Sequence, residues 1–317
     1  MAALAGGVGA GKFLRGLLRA VPAESVTVVV NTGDDFDVHG LHVSPDLDSV
    51  TYWLAGVADR DRGWGREGDS FRATAELRAF GAGRAWFGLG DLDLATHLFR
   101  TRLLAEGLSL SEATRTVTAR FGIRASVMPM TDDAVATRVE AVDDTGRSLD
   151  LHFQEYWVLR GARDQVKSVR FEGAAHARPA PGLLRAIERA EVVVLCPSNP
   201  IVSIDPILAI PGVRRAVGAR RDRVVAISPI VGGAPLRGMA DRLLPVAGVE
   251  VSAAGVAEHY DGLLGSFVFD QADHELLGRI SEKCDRALAT DTIMRDDDAA
   301  ERLAREALRI AGYGRDG

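Results

Sequence analysis

The stretch from Val26 to Asp48 joins a β-branched strand to a loop that is crowded with aspartates. Val26–Val30 has the sequence V-T-V-V-V, and a continuous run of this kind is typical of a parallel strand covered on both faces. Carboxylates this close together repel one another unless a cation or a donor-rich ligand lies between them. We therefore predict that this stretch forms the floor of a site that binds a metal ion and phosphate groups. Its five aspartates, within fifteen residues, are Asp34, Asp35, Asp37, Asp46 and Asp48.

A glycine loop precedes that strand. The short apolar segment Met1–Ala5 leads into G-G-V-G-A-G-K at residues 6–12, and Phe13–Ala20 has the apolar spacing of a helix. Strand, glycine loop, helix and second strand together make a βαβ unit. Open α/β sheets bind ligands in the loops at the carboxyl ends of such strands.

The rest of the chain extends this pattern. Ser44-Pro45 predicts a helix start, and Ser109 with Glu112 predicts a capping box that opens another helix. We predict one α/β domain over residues 1–317: a doubly wound, mostly parallel Rossmann-like sheet with a largely helical insertion at about 50–125 and a β-hairpin at about 134–158. Further strands are predicted at residues 191–196, 224–227, 249–254 and 266–270, and further helices at 181–189 and 299–310.

Composition limits the classes of function. The net charge of −6 disfavours a nucleic-acid binder, because such proteins depend on clustered basic charge. No run approaches 18 apolar residues, and the N-terminal segment lacks a basic region, so we expect neither a membrane span nor a signal peptide. Cys196 and Cys284 have neither metal-ligand nor disulfide-framework spacing, which fits a reducing cytoplasm.

The glycine loop matches seven of the eight positions of the P-loop pattern GxxxxGK[ST]. The eighth position, which supplies the magnesium-binding hydroxyl, is Phe13, and this counts against a P-loop kinase or ATPase. Glycines still allow a ligand to approach the backbone, and the N-terminus of a helix favours an anion. We therefore predict phosphate binding by Gly6, Gly7, Gly9 and Lys12, the alternative being a tight turn without a ligand.

The aspartates also have two explanations. Asp34 and Asp35 could cap backbone N–H groups in a turn, and Asp46 and Asp48 could simply favour the positive end of a helix. The convergence of both loops beside the glycine loop favours a functional role. Mg²⁺ prefers one or two carboxylates together with substrate phosphates and water. Asp46 and Asp48 would serve as that pair, or one of them could accept a proton from an attacking hydroxyl.

Several long motifs resemble one family. They are V-V-N-T-G-D-D, H-G-L-H-V-S-P-D-L-D, R-G-W-G, L-G-D-L-D-L-A-T-H, H-F-Q-E-Y-W, P-S-N-P-I-V-S-I, S-P-I-V-G-G-A-P-L-R-G and D-T-I-M. The chain is similar nearly from end to end to the 2-phospho-L-lactate transferases of coenzyme F420 biosynthesis, known as CofD in archaea and FbiA in actinobacteria. The resemblance implies a Mg²⁺-dependent, homodimeric, cytoplasmic transferase. It would move a phosphorylated three-carbon acid (phospholactate, phosphoenolpyruvate or phosphoglycerate) from a GDP-activated diphosphate to the terminal ribityl hydroxyl of the deazaflavin Fo, with release of GMP.

The resemblance also implies roles for individual residues. Asp46 and Asp48 would bind the metal or activate the Fo hydroxyl. Asn31, Thr32, Gly33 and Asp34 would line the phosphate pocket with the glycine loop, and Ser198, Asn199 and Ser203 would recognise the guanine nucleotide. Asp48, Trp64, Asp91, Asp93 and His97 would face Fo. Many members have an arginine that contacts Fo where this chain has Leu92. Either Fo is held differently here, with Arg84 or Arg100 compensating, or the acceptor is not identical to Fo.

A different class of function shares part of this pattern. Gluconeogenesis-factor proteins have a similar N-terminal fold and an N-T-x-D-D motif, and they would bind a nucleotide sugar as regulators without turning it over. The P-D-L-D, R-G-W-G and D-T-I-M motifs favour the transferase.

Overall fold

A parallel seven-stranded sheet lies at the centre of the computed structural model, which describes residues 1–314. The strands, in chain order, are β1 (Ala2–Ala5), β2 (Thr27–Val30), β3 (Phe36–Val38), β4 (Leu41–Val43), β5 (Ser126–Pro129), β6 (Ala136–Val142), β7 (Ser148–His152), β8 (Gln165–Glu172), β9 (Val193–Leu195), β10 (Val224–Ile227), β11 (Ile230–Val231), β12 (Ala234–Pro235), β13 (Ser266–Asp270) and β14 (Arg286–Thr290). The helices are α1 (Gly7–Ala20), α2 (Pro45–Ala55), α3 (Arg72–Ala79), α4 (Asp91–Ala105), α5 (Leu110–Arg120), α6 (Leu183–Arg189), α7 (Asp205–Ala209), α8 (Val213–Gly218), α9 (Ala240–Leu243), α10 (Ala253–His259), α11 (Leu277–Ser281) and α12 (Asp297–Ala311).

The strand order of the central sheet is β14-β13-β10-β9-β1-β2-β5, and every neighbouring pair is parallel. β1 lies inside the sheet, with β2 on one side and β9 on the other. The chain therefore reverses its direction of winding beside β1. Open α/β sheets bind their ligands at the carboxyl ends of the strands at such a reversal.

The central strands are buried on both faces, as their sequences predict. Every residue of β1, β9, β10 and β13 is buried. One face carries the core of α1 and α12, and the other carries a core formed by α6, α8, α10 and the sheet of β6, β7 and β8. Members of the first core include Phe13, Leu14, Leu17, Leu303 and Leu308, and members of the second include Leu183, Ile187, Val213, Val217 and Val256.

The predicted fold class is confirmed, because the central sheet is parallel and helices cover both faces. The hairpin segment forms β6 and β7, but β8 also pairs with β6 and makes a three-stranded antiparallel sheet that the sequence did not indicate. The strand predicted at residues 249–254 is wrong. The Ser252 hydroxyl accepts a hydrogen bond from the Gly255 N–H at 3.0 Å and starts α10 there instead.

The helix starts vary in how well the sequence predicts them. The capping box of α5 is confirmed: Ser109 Oγ accepts from the Glu112 N–H at 3.3 Å, and Glu112 Oε2 accepts from the Ser109 N–H at 2.8 Å. α1 begins at Gly7 and not at Phe13, so the glycine loop forms its first turns. The longest helices, α4 and α12, have 15 residues each, and within residues 1–314 no helix combines the length and the apolar character needed to cross a bilayer.

Candidate active site

One cleft of about 1130 Å³ opens at the carboxyl ends of the central strands. The glycine loop after β1, the start of α2 and the loop after β9 form one end of it. Aromatic side chains from the segments before and after the hairpin form the other end. Of the residues proposed from the sequence, those that line the cleft are Gly6, Gly7, Gly9, Lys12, Asp34, Asp46, Asp48, Trp64, Asp93, His97, Ser198, Asn199 and Ser203.

The glycine loop packs directly against the P-S-N-P loop that follows β9. A Cβ atom at Gly6 would lie 2.6 Å from Ser203 Cβ, and one at Gly9 would collide with the carbonyl oxygen of Pro197. Ser198 Oγ accepts from the Gly6 N–H at 3.2 Å and donates to the Gly6 carbonyl at 2.9 Å. These contacts explain why glycine is needed here, since the two loops approach more closely than side chains allow.

The first N–H groups of the glycine loop are already occupied by the protein. The Gly6 N–H bonds to Ser198, and the Gly7 N–H bonds to the Asp46 carboxylate. The predicted anion site at the start of α1 is thus partly filled by an internal carboxylate. Lys12 remains as a cation in the cleft, with its ammonium 5.4 Å from the centre of the Trp53 ring. Burial, together with the charges of Arg237 and Arg60, lowers the pKa of Lys12.

Asn31, Thr32 and Gly33 are buried behind the cleft and do not line it. Asn31 Nδ2 donates to Asp46 Oδ2 at 2.9 Å and to the Val202 carbonyl at 3.1 Å, and the Gly33 N–H donates to Asn31 Oδ1 at 2.8 Å. This segment therefore supports the site from behind. It holds the Asp46 carboxylate in place and does not line the cleft.

Asp34 and Asp46 form a buried pair of like charges. Burial, together with the charges of Asp46 and Asp35, raises the pKa of Asp34 well above its usual value. Burial likewise raises the pKa of Asp46 to about 7, against the opposing hydrogen bond from Asn31. Within residues 1–314 neither carboxylate forms an ion pair with a basic side chain. Two desolvated carboxylates without a cation repel each other.

The residues at this pair fit a magnesium ion. Asp34 Oδ1 is buried and has no hydrogen-bond partner, and Asp34 and Asp46 both line the cleft. No group of three or more His, Cys, Asp or Glu side chains within residues 1–314 is arranged to hold a metal. Mg²⁺ needs fewer protein ligands than that, because it retains water and takes up substrate phosphates.

The start of α2 shows a different capping pattern from the predicted one. The helix begins at Pro45, as expected, but Ser44 Oγ donates to Asp35 Oδ2 at 2.7 Å and makes no cap. His42 Nε2 lies 3.2 Å from the same oxygen. Through these two contacts Asp35 holds the loop before α2 in place. Asp37 is exposed and takes no part in the site.

Asp48 lies one turn into α2 and belongs to a separate network. Both terminal nitrogens of Arg100, on α4, donate hydrogen bonds to the Asp48 carboxylate: Nη1 to Oδ2 at 3.0 Å and Nη2 to Oδ1. His97 Nδ1 is 3.5 Å from Asp48 Oδ2, and His97 Nε2 is 3.2 Å from Asp93 Oδ1. The Tyr52 hydroxyl donates to the same Asp93 oxygen at 2.6 Å.

The Arg100 guanidinium and nearby hydrogen-bond donors stabilise the carboxylates of this network. Burial alone would raise the pKa of Asp93, but bonds from His97 and Tyr52 and the charge of Arg100 outweigh it and hold that pKa below its usual value. Burial also opposes the charged form of Arg100, yet the Asp48 carboxylate raises the pKa of this guanidinium further. Both groups thus remain charged inside the protein.

Asp91 does not lie in the cleft. Its carboxylate accepts hydrogen bonds from the Ser70 hydroxyl and from the Ala73 N–H at 3.0 Å, so it stabilises the start of α3. The side chain of Leu92 is 43% exposed and also lies outside the cleft lining. Neither Arg84, which donates to the Asp37 carbonyl, nor Arg100, which donates to Asp48, lines the cleft.

The residues predicted to recognise the nucleotide lie in the loop after β9. Asn199 Oδ1 accepts from the N–H groups of Ile201 at 3.0 Å and Val202 at 3.4 Å, so its carbonyl end serves as a cap and only its amide nitrogen remains for a ligand. Ser203 lines the cleft beside Gly6. Arg237 Nη1 and Nη2 donate to the carbonyls of Arg62 at 2.8 Å and Asp61 at 3.0 Å, which joins the loop after β12 to the R-G-W-G loop.

Comparison with known proteins assigns the chain to a family. The family model of 2-phospho-L-lactate transferase CofD matches residues 1–308. The chain belongs to this family. A protein named phosphoenolpyruvate transferase from Streptomyces griseus is 47% identical over 309 residues, covering 97% of each chain. One of the same name from Mycolicibacterium smegmatis is 40% identical over 98% of each chain. A 2-phospho-L-lactate transferase from Methanosarcina mazei is 39% identical, covering 96% of this chain and 98% of its own.

Membership of the CofD family identifies the chain as a transferase. It therefore favours the transferase over the nucleotide-sugar-binding regulator. A crystal structure of a UPF0052 family protein from Bacillus halodurans aligns with a TM-score of 0.62, at 15% identity and over 97% of each chain. At that identity the similarity supports the fold alone.

Sequence reasoning missed several residues of the CofD cleft. Arg62, Phe153 and Trp157 lie in the motifs R-G-W-G and H-F-Q-E-Y-W, so a signal for them was present. Trp86 and Phe87 carry no such signal, but they line the cleft, and their rings meet at 5.8 Å in an edge-to-face contact. Trp64 is 44% exposed, lines the cleft and contacts Phe71 with ring centres 6.1 Å apart.

Proposed function

We propose that this CofD-family transferase joins a phosphorylated three-carbon acid to the terminal ribityl hydroxyl of the deazaflavin Fo in coenzyme F420 biosynthesis. The donor is the GDP-activated diphosphate of that acid. The hydroxyl oxygen forms a new bond to the phosphorus that bears the acid, the bond from that phosphorus to GMP breaks, and GMP leaves. The hydroxyl proton passes to a base or to water.

One observation carries this proposal: a single cleft of about 1130 Å³ has a carboxylate and glycine-loop end and an aromatic end. The first end suits a diphosphate and its cation. The second end, with Trp86, Phe87 and Trp157, suits a flat ring system, because aromatic faces stack on one another. The reacting hydroxyl would then lie between them, beside Asp48.

The side chains divide the work as follows. Asp46 and Asp34 would hold Mg²⁺, which when bound neutralises negative charge on the transferring phosphoryl group. Lys12 would place its positive charge beside the diphosphate, and Ser198 keeps the glycine loop in position for it. Asp48 would accept a hydrogen bond from the attacking hydroxyl. Such positioning and charge neutralisation supply most of the catalysis in phosphoryl transfer.

The relatives' names favour phosphoenolpyruvate as the three-carbon acid. Relatives that are 47% identical carry the name phosphoenolpyruvate transferase, and the relative named for phospholactate is 39% identical. We therefore propose the enolpyruvyl conjugate of GDP as the preferred donor.

The test is to incubate the protein with Fo, Mg²⁺ and, in separate reactions, the enolpyruvyl, lactyl and phosphoglyceryl conjugates of GDP. We expect mass analysis to detect GMP and a phosphodiester of Fo, formed fastest with the enolpyruvyl conjugate. Reactions without Mg²⁺ and with Asp46→Asn protein are the controls. Absence of product with all three donors would reject the function, and a faster lactyl reaction would reject the donor preference.

Homodimer formation and a cytoplasmic location remain predictions from the family resemblance. Light scattering after size-exclusion chromatography tests the first, with a mass of twice 33.9 kDa as the expected result. Cell fractionation in the source organism tests the second.

A further inference from the structure

Arg100 is one of the largest side chains that the fold buries completely, with only 2% of its surface exposed. A guanidinium is rarely buried unless a carboxylate compensates it, because the loss of hydration is costly. Here the compensation comes from Asp48, through a bidentate contact between α4 and α2. The pair lies directly behind the cleft, since Asp48 lines it and Arg100 does not.

This contact limits what Asp48 can bind. Both of its oxygens accept from Arg100, and His97 approaches Oδ2 at 3.5 Å from the same side. A metal ion would have to compete with the guanidinium for those oxygens and would bring two positive groups together. A neutral hydroxyl donor meets no such repulsion, because each carboxylate oxygen can accept more than one hydrogen bond.

Asp46, two residues before Asp48, has no cationic partner among residues 1–314. Its partners are the neutral donors Asn31 and Gly7, and its charged neighbours are other carboxylates. The two aspartates of P-D-L-D are therefore prepared for different ligands: Asp46 for a cation and Asp48 for a hydroxyl.

We propose that Arg100 is a positioning residue, which aims the Asp48 carboxylate at the acceptor hydroxyl and keeps it out of the metal's coordination. The identity of that hydroxyl rests on the proposed function. The assignment of the two aspartates does not, because it concerns metal binding by the protein alone.

The first experiment measures Mn²⁺ binding by electron paramagnetic resonance, without substrates, for the wild type and for Asp46→Asn, Asp48→Asn and Arg100→Lys. We expect Asp46→Asn to weaken binding by at least about tenfold, and the other two variants to stay within about threefold of the wild type. Equal losses for Asp46→Asn and Asp48→Asn would overturn the proposal, since Asp48 would then be a metal ligand.

The second experiment separates positioning from structural support. Arg100→Lys keeps the charge but loses the fork that holds both oxygens, and a misplaced group can cost about 100-fold in rate. We expect kcat to fall by about 10- to 100-fold with the KM of the GDP donor unchanged. Arg102→Lys, on the exposed side of the same helix, is the matched control and should behave as the wild type. A folded Arg100→Lys protein with wild-type kcat would refute the positioning role.

The third experiment covers variants that fold poorly. Arg100→Gln and Asp48→Asn each leave one buried charge without its partner, whereas the double variant removes both. We expect the double variant to melt at a higher temperature than either single variant. Independent, additive losses would contradict the pairing. If the wild type makes no product with any donor, the proposed function fails, while the Mn²⁺ and melting measurements still decide the role of Arg100.

Discussion

Two pairs of buried aspartates lie within one cleft, and the protein treats them in opposite ways. Asp48 and Asp93 are surrounded by Arg100, His97 and Tyr52, so that a cation and a hydrogen-bond donor from the protein itself stabilise them. Asp34 and Asp46 have only neutral donors and the neighbouring carboxylate of Asp35 besides each other. A cationic side chain thus compensates the first pair, whereas the second pair has no cationic partner among residues 1–314. Carboxylate density alone would select both pairs, and the missing counter-charge at Asp34 and Asp46 is the reason that we propose this pair for the metal.

The largest expected effect is on catalysis at the uncompensated pair. Asp46→Asn keeps the size and shape of the side chain but removes the charge that would hold Mg²⁺. We expect the rate of transfer to fall by about 1,000-fold, the scale found when a group that stabilises developing charge is lost. The measurement is a steady-state assay, with circular dichroism and GDP binding to show that the variant is folded. Retention of more than a tenth of the activity would remove Asp46 from the catalytic site.

The next largest effect is on the free energy of unfolding, which should change in opposite directions when the two pairs are mutated. Asp48→Asn leaves Arg100 buried without its carboxylate, and we expect a loss of about 3 kcal/mol in the free energy of unfolding. Asp46→Asn relieves repulsion with Asp34, so metal-free protein should become more stable than the wild type. Urea denaturation in EDTA measures both. The contrast drawn above fails if the two variants shift stability in the same direction.

The pH dependence of stability should also distinguish the pairs. Because the pKa of Asp46 is about 7 in the folded protein and near 3.8 when unfolded, the folded state holds a proton over that interval that the unfolded state has released. Metal-free wild type should therefore lose stability as pH rises from 5 to 8, by comparison with Asp46→Asn under the same conditions. Thermal melts in EDTA across this range test it, and added Mg²⁺ should reduce the difference. Parallel pH profiles for the two proteins would count against the raised pKa.

The smallest effect concerns the aromatic end of the cleft. Trp157→Ala removes a stacking surface, and we expect the KM for Fo to rise about tenfold, with little change in the KM of the donor. Phe80→Ala is a suitable control, because Phe80 is exposed and lies outside the cleft lining. Fluorescence titration of Fo gives the binding constants directly. Similar values for both variants would place Fo elsewhere.

Local patterns predicted what local forces determine. The β-branched runs predicted β2, β9 and β10, the apolar segment before the glycine loop predicted β1, and the capping box predicted the start of α5. The edge strands β5 and β14 were missed because S-V-M-P and R-A-L-A-T lack a continuous β-branched run, and their pairing partners supply the stabilisation. Tertiary context therefore decided the sheet's edges.

The residues of the site were likewise predicted where the local sequence determines their position, and missed where a distant segment does. The aspartates of the P-D-L-D motif and the glycine loop were found in sequence, because strand ends converge at one edge of a parallel sheet. The partner of Asp48 was not found, since Arg100 lies on another helix and no spacing links the two. Asp91 was misplaced because an aspartate in the first turn of a helix looks the same whether it meets a ligand or a neighbouring backbone N–H.

The central place of β1 has a consequence for how the chain is made. Ala2 pairs with Thr27 on one side and with Val193 on the other, so β1 keeps one edge open until β9 has been synthesised. Contacts that are so distant in sequence slow folding and expose an unpaired edge in the meantime. A nascent chain stalled before residue 193 should therefore bind holdase chaperones, and release from them should coincide with the emergence of β9.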